Sequence, residues 1–199
     1  MDKNTVLKEF ESASAILKGH FILSSGLHSD TYMQCARVLM DPKRAERLCA
    51  ALAEKIHATL GKNAIDMVVS PAMGGVVVGY EVARQLGVES IFCERVDGTF
   101  TLRRGFSIPE NARILIVEDV ITTGKSSIET VNCLKQYPCQ IVAEACLIDR
   151  SAGDSKNIGL PVISLAEIEV KTFEANNVPQ ELAHIEAIKP GSRWLAAAK

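Results

Sequence analysis

Short apolar runs recur through the middle of the chain, each too brief for a helix and none alternating with polar residues, and helical segments separate them. Residues 65–70, 91–93, 113–117 and 140–148 read as strands; residues 76–86, closed by Gly87, and about 125–136 read as helices between them. Strands that are apolar on both faces belong in a parallel sheet covered by helices on both sides. A doubly wound α/β domain is therefore expected, and in such sheets ligands sit outside the carboxyl ends of the strands. Asp41-Pro42, an N-cap followed by a first-turn proline, opens a further helix that runs to Gly61 with Ala45, Leu48, Cys49, Leu52, Ile56 and Leu60 on one face. Before it come a helix over about residues 5–17 and two extended pieces around a Ser/Gly turn within residues 19–32.

With 199 residues, 47% of them hydrophobic, the chain suits one domain with a sizeable core. Its net charge of -2 gives no bulk attraction for nucleic acid or an anionic membrane, so neither is expected as a partner. No run approaches the roughly 18 apolar residues of a membrane span, and the opening Met1-Asp2-Lys3-Asn4 does not read as a signal peptide. Cys35, Cys49, Cys93, Cys133, Cys139 and Cys146 form no C-x-x-C pair and suit small core residues with reduced thiols. A soluble cytoplasmic protein is the expectation. His20, His28, His57 and His184 show no metal-site spacing.

The most informative strand is Ile114-Leu115-Ile116-Val117, which runs straight into Glu118, Asp119, Val120, Ile121, Thr122, Thr123, Gly124, Lys125, Ser126 and Ser127 before a helix face resumes at Ile128. A Thr/Gly/Ser loop opening a helix aims backbone N–H groups and hydroxyls at one point, where the helix dipole also favours negative charge. A phosphate monoester fits there; the plain structural alternative is that Thr123 or Ser126 only caps the helix. Gly124-Lys125-Ser126 imitates the end of a P-loop, but Asp119 stands where that motif requires glycine. A polyphosphate wrapped by the loop would meet two carboxylates, whereas a pair of hydroxyls suits them. A ribose 5-phosphate meets both demands.

This segment, Glu-Asp-Val-Ile-Thr-Thr-Gly-x-Ser after an apolar strand, resembles the phosphoribosyl-diphosphate (PRPP) motif of the type I phosphoribosyltransferases. The resemblance implies that family's fold: a mostly parallel central sheet flanked by helices, with a small N-terminal hood. It implies one domain over residues 1–199, the hood mainly within 1–40 plus part of the C-terminal segment and the core at about 41–165. It also implies transfer of ribose 5-phosphate from PRPP to a base nitrogen, with Mg²⁺ carried by the substrate diphosphate and no direct protein ligand to the metal.

Other segments are similar to the orotate-specific members: Gly19-His20-Phe21-Ile22-Leu23-Ser24-Ser25-Gly26-x-His28-Ser29-Asp30-x-Tyr32 to their hood, and Ser70-Pro71-Ala72-Met73-Gly74-Gly75 to their diphosphate loop. The likeness extends to Lys189-Pro190-Gly191-Ser192-Arg193. Residues 94–106 resemble the family's mobile catalytic loop, which implies Arg103 and Arg104 as catalytic with Asp119, and Arg95 at the loop's base; the bland alternative is a solvated hairpin. Guanidinium groups suit a departing diphosphate because they pair bidentately at any working pH. Arg150, Thr122 and Tyr32 match positions that contact orotate, and a carboxylated base is a natural partner for an arginine. A homodimer with shared active sites is implied, as is formation of orotidine 5-phosphate on the route to UMP. The longer branch of these enzymes carries lysine at Ser24, a Tyr-Lys pair at Met73-Gly74, and Lys and His in the loop. This chain is similar instead to a shorter branch with loop arginines. Two alternatives stay open: a phosphoribosyltransferase for adenine or uracil, and a PRPP-binding regulator of the same fold.

Overall fold

The computed structural model describes residues 1–23, 26–151, 153 and 157–190; Ser24, Ser25, Gly191, Ser192 and Arg193 of the segments above lie outside the described residues. The chain opens with α1 (Lys3–Ser12), capped by Asp2, whose carboxylate accepts from the Thr5 amide at 2.8 Å. This helix ends well before residue 17, where it was expected to reach. Ser14 takes a left-handed backbone, φ 50°, and turns the chain into β1 (Ile16–Ile22), where Leu17 pairs with Tyr32 of β2 (His28–Met33). Apolar side chains expected on a helix face are thus spent on a hairpin.

After α2 (Cys35–Leu39) comes α3 (Pro42–Leu60), bounded as its caps predict: Asp41 accepts from the Lys43 and Arg44 amides at 3.0 and 3.3 Å, and Gly61 ends it at φ 94°. Alternation then sets in with β3 (Met67–Pro71), α4 (Gly74–Leu86), β4 (Glu89–Val96), β5 (Thr99–Leu102), β6 (Arg113–Ile121), α5 (Lys125–Leu134), β7 (Gln140–Asp149) and β8 (Val162–Glu167). The chain continues with β9 (Thr172–Phe173) and the short α6 (Gln180–Ala183).

The large sheet has the order β5-β4-β3-β6-β7-β8, and every pair is parallel except β4 with β5. A small sheet, β1-β2-β9, is antiparallel. Successive side chains of the central strands serve opposite cores. Val68, Leu115, Val117, Ala143, Ala145 and Leu147 pack with α1 to α4, and Met67, Val69, Ile114, Ile116 and Cys146 pack with Val131 and Leu134 of α5. The doubly covered sheet is the expected one.

Three boundaries differ from expectation. β6 does not stop at Val117 but carries Glu118 and Asp119 within the strand, because β7 runs beside it in register as far as Ile121 opposite Asp149. β7 is not the last core strand: β8 follows, parallel to it, and its Ser164 had hidden the apolar pattern. Residues 94–106 are not one open loop, since β4 and β5 form an antiparallel hairpin around Asp97-Gly98, both residues at positive φ as a tight hairpin turn demands.

Helix α4 lies close against the sheet. A Cβ at Gly79 would stand 1.9 Å from Ser70 Oγ and 3.0 Å from Ser70 Cβ. Alanine is favoured over glycine in a helix by about 1 kcal/mol, and overpacking costs about 1–3 kcal/mol. Gly79→Ala is expected to lower stability by a net ~1–2 kcal/mol in urea unfolding, and adding Ser70→Ala should restore most of it. Additive losses in the double variant would refute this steric account.

Candidate active site

Strands β3 and β6 are parallel neighbours whose connections leave in opposite directions, β3 through α4 to β4 and β6 through α5 to β7. Their carboxyl ends flank the crevice where such sheets bind ligands. Gly74 begins α4 at one side of it, and a Cβ there would lie 2.9 Å from Asp119 Oδ1 on the other. A side chain at this position would push the Asp119 carboxyl aside.

Glu118 and Asp119 are consecutive on a strand, so they point to opposite faces. Each opens into its own hollow. The first, about 150 Å³, is lined by Glu118, by Val120, Ile121, Thr122, Thr123, Gly124, Lys125 and Ser126 together with Ser127, and by Arg95 from β4. Gly124 holds φ 72° and a Cβ on it would press on Ile158 Cγ1 at 3.0 Å, so the turn into α5 is built for glycine. The first turn of α5 leaves N–H groups without helical acceptors at this hollow. Thr123 Oγ1 meets the Lys125 amide only at 3.4 Å, a weak cap.

The second hollow, about 210 Å³, lies between the two sheets. Tyr32, Cys35, Asp119, Thr122, Arg150 and Pro190 are among its walls, and it shares Val120 and Thr122 with the first. The two together reach the size range of small-molecule sites. Arg150 is tied by its backbone amide to Ile121 O at 2.8 Å, and its Nη2 reaches Thr31 O at 3.4 Å. Its Nε is buried and has no partner, and among the described residues no carboxylate pairs with it. Burial pulls the Arg150 pKa down from its ordinary value, yet an arginine stays charged at any working pH. Burial and then the Asp119 charge push the Tyr32 phenol up, and burial pushes the Cys35 thiol far up, so neither ionises there.

Burial, followed by repulsion from Asp119, raises Glu118 well above the usual glutamate range. A third acid, Glu144 of β7, is fully buried and bonded to Ser127 Oγ at 2.7 Å; burial raises it to about 7. Sequence reading missed Glu144 and Ser127, although a single acid inside an otherwise apolar strand was the available signal.

The structure brings together Tyr32, Arg95, the run Glu118 to Ser126, Arg150 and, through Gly74, the Met73-Gly74-Gly75 segment. It does not bring Arg103 and Arg104 to either hollow. Arg104 is folded back on Glu94, Nη2 to Oε1 at 2.7 Å, and Arg103 is exposed without an ion pair among the described residues. Arg95 pairs with Glu129 and stacks over Phe100 at 4.3 Å. No group of three metal-ligating side chains converges among the described residues, and no described helix is long and apolar enough to cross a membrane.

Comparison with known proteins agrees with this geometry. The family model described as a phosphoribosyl transferase domain matches residues 39–183. The orotate phosphoribosyltransferase of Sphingopyxis alaskensis is 55% identical over 197 residues, 99% of this chain and 100% of that protein. In fold, the chain is similar to the Aeropyrum pernix orotate phosphoribosyltransferase, with a TM-score of 0.68, 24% identity and coverage of 81% of this chain and 93% of that one. It is similar also to the adenine phosphoribosyltransferase of Saccharomyces cerevisiae, with a TM-score of 0.66, 16% identity and coverage of 82% and 99%. The backbone alone therefore does not select the base.

The raised acids make stability depend on pH. Glu118 and Glu144 hold protons in the folded chain that the unfolded chain releases above about pH 4.5, so stability falls as pH rises from there, with the Glu144 share complete just above pH 7. For Glu144 that share is about 3 kcal/mol. Urea unfolding is expected to show Glu144→Gln gaining on the wild type between pH 5 and pH 8; a constant difference would refute a buried, protonated Glu144.

Proposed function

The chain belongs to the phosphoribosyl transferase family, and from that premise we propose that it transfers the 5-phosphoribosyl group of PRPP to orotate, releasing diphosphate and forming orotidine 5-phosphate for pyrimidine nucleotide synthesis. One observation carries the choice of base. A half-buried guanidinium with an unpartnered Nε faces the hollow next to Thr122 and Asp119, and it demands an anion that the described residues do not supply. Orotate bears a carboxylate; adenine and uracil bear none.

In this reading the 5-phosphate lies in the first hollow on the amides and hydroxyls of Thr122 to Ser126, and the base lies in the second against Tyr32, Thr122 and Arg150. The ribose spans the junction at Val120, within reach of both acids. The carboxyl groups of Glu118 and Asp119 engage its 2- and 3-hydroxyls, and the diphosphate lies along Met73, Gly74 and Gly75. As the bond to diphosphate lengthens, a ring nitrogen of orotate closes on the anomeric carbon, and the cationic sugar is stabilised by Asp119. Arg95 stands at the first hollow. Arg103 and Arg104 join the leaving group only if the hairpin end swings and Arg104 exchanges Glu94 for phosphate oxygens. Mg²⁺ enters as part of the PRPP complex, where it neutralises diphosphate charge. The whole chain works as one domain, the small sheet serving as a hood over the core, in the cytoplasm where its free thiols remain reduced.

Substrate specificity provides the test. With PRPP and Mg²⁺, orotate should be consumed and uracil, adenine and hypoxanthine should not, and a chelator should stop the reaction. Arg150→Ala should raise the KM for orotate at least tenfold, and Asp119→Asn should cut kcat by ~100-fold with little loss of stability. Turnover of adenine in place of orotate would overturn the reading.

A second copy of the chain completes the proposal. Met73, Val77 and Tyr80 form an exposed apolar row along α4 immediately beside the crevice, and Tyr80 remains 67% exposed. A face of that kind adjoining the site suits a homodimer in which one subunit's hairpin serves the other's crevice. Tyr80→Glu is expected to yield monomers by sedimentation velocity and to lower turnover; a monomeric wild type would defeat the dimer.

A further inference from the structure

Ser127 lies between the first hollow, which it lines, and β7 behind it. Its hydroxyl is 2.7 Å from Glu144 Oε1, while Glu144 Oε2 is buried with no partner. A carboxyl placed there meets a hydroxyl on one oxygen and nothing on the other, an arrangement that favours the neutral acid. The two protonation states treat that hydroxyl in opposite ways. A neutral carboxyl is able to donate its O–H to Ser127 Oγ, which leaves the serine hydrogen free to turn into the hollow. A carboxylate only accepts, so Ser127 must donate backwards and has no hydrogen for a ligand.

We propose that Glu144 is a positioning residue for the phosphate end of the substrate: through Ser127 Oγ, its carboxyl decides whether that hydroxyl donates into the hollow at the start of α5. This rests on the reading that places the 5-phosphate in that hollow. The groups that act on Glu144 among the described residues are Glu118 of β6 and Asp149 and Cys146 of its own strand; α5 presents the Ser127 hydroxyl and β8 places Val162 at its register. None of these groups is basic. A phosphate dianion adds charge of the same sign, so binding favours the neutral form and the neutral form favours binding, as linkage requires.

Binding of ribose 5-phosphate to the full chain between pH 6 and pH 8.5, measured by calorimetry for wild type, Glu144→Gln and Ser127→Ala, tests the device. Ionisation of the ligand is common to all three and cancels in ratios of affinity. The glutamine amide does not titrate and treats Ser127 alike at every pH, so wild-type affinity should fall at least tenfold relative to Glu144→Gln across the range, the value of one charge-assisted hydrogen bond. Ser127→Ala should bind weakly throughout and lack this extra fall, and it carries the test alone if the glutamine variant does not fold. A wild-type to glutamine ratio constant within about twofold, or an alanine variant with the wild-type pH response, overturns the proposal while leaving the phosphate site intact. No binding of ribose 5-phosphate by the wild type overturns both.

Discussion

The structure turns on the approach of two backbones at the carboxyl ends of β3 and β6. Parallel pairing sets these strands side by side, and their opposite crossovers keep the space beyond them free of either connection. Gly74 then comes so near the Asp119 carboxyl that a methyl group would displace it. Much else follows from that closeness. Gly75 and Gly79 let α4 settle on the sheet, with a Cβ at Gly75 only 3.0 Å from Val117 O, and the settled helix presents its N-terminal turn to the acid.

Such a crevice has an electrostatic difficulty, because an anion is to be held next to carboxyl groups. Charge at close range in a poorly hydrated site is worth several kcal/mol in either direction. The fold answers by burying acids, which favours their protonated forms. Glu118 and Glu144 are both raised by burial, so an anion in the first hollow, as proposed above, would meet helix amides, hydroxyls and Arg95 with less opposing charge beneath it. Asp119 points the other way, into the second hollow. Strand alternation accomplishes this separation: two adjacent acids, one residue apart, belong to different hollows.

How much of this was legible in the sequence follows from the same physics. The α3 boundaries were, because Asp41, Pro42 and Gly61 are local signals that need no tertiary partner. The turn into α5 and the two acids at its entrance were, because a strand, a Thr/Gly/Ser loop and a helix follow one another along the chain. The end of β6 was not, since whether Glu118 and Asp119 lie in a strand depends on how far β7 runs alongside. β8 escaped for a related reason: six residues containing a serine acquire their meaning only from pairing with β7. The roles of the arginines were also beyond local reading, because the Arg104 contact with Glu94 exists only once β4 and β5 have closed their hairpin.

The second hollow is built differently from the first. Its walls come from chain segments remote in sequence: Tyr32 from β2, Arg150 after β7 and Pro190 near the end of the described chain. Of the three, only Arg150, whose amide bonds Ile121 O, takes part in pairing the central strands. The small sheet is held instead by its own ties, with Ile22 and Ile188 joined at 2.7 Å and His20 Nδ1 on Ile185 O at 2.9 Å. A carbonyl only accepts, so that ring carries its hydrogen on Nδ1, and its Nε2 takes the hydrogen of His28 Nδ1 at 2.6 Å. This chain of bonds locks the C-terminal segment onto β1 and β2 and fixes Pro190 against the hollow without involving the large sheet. The two hollows still meet at Val120 and Thr122, and Arg150 joins β6 to β2 through Ile121 O and Thr31 O. On the proposed reading a changed side chain in the small sheet alters the base side first and reaches the α5 turn only through that junction.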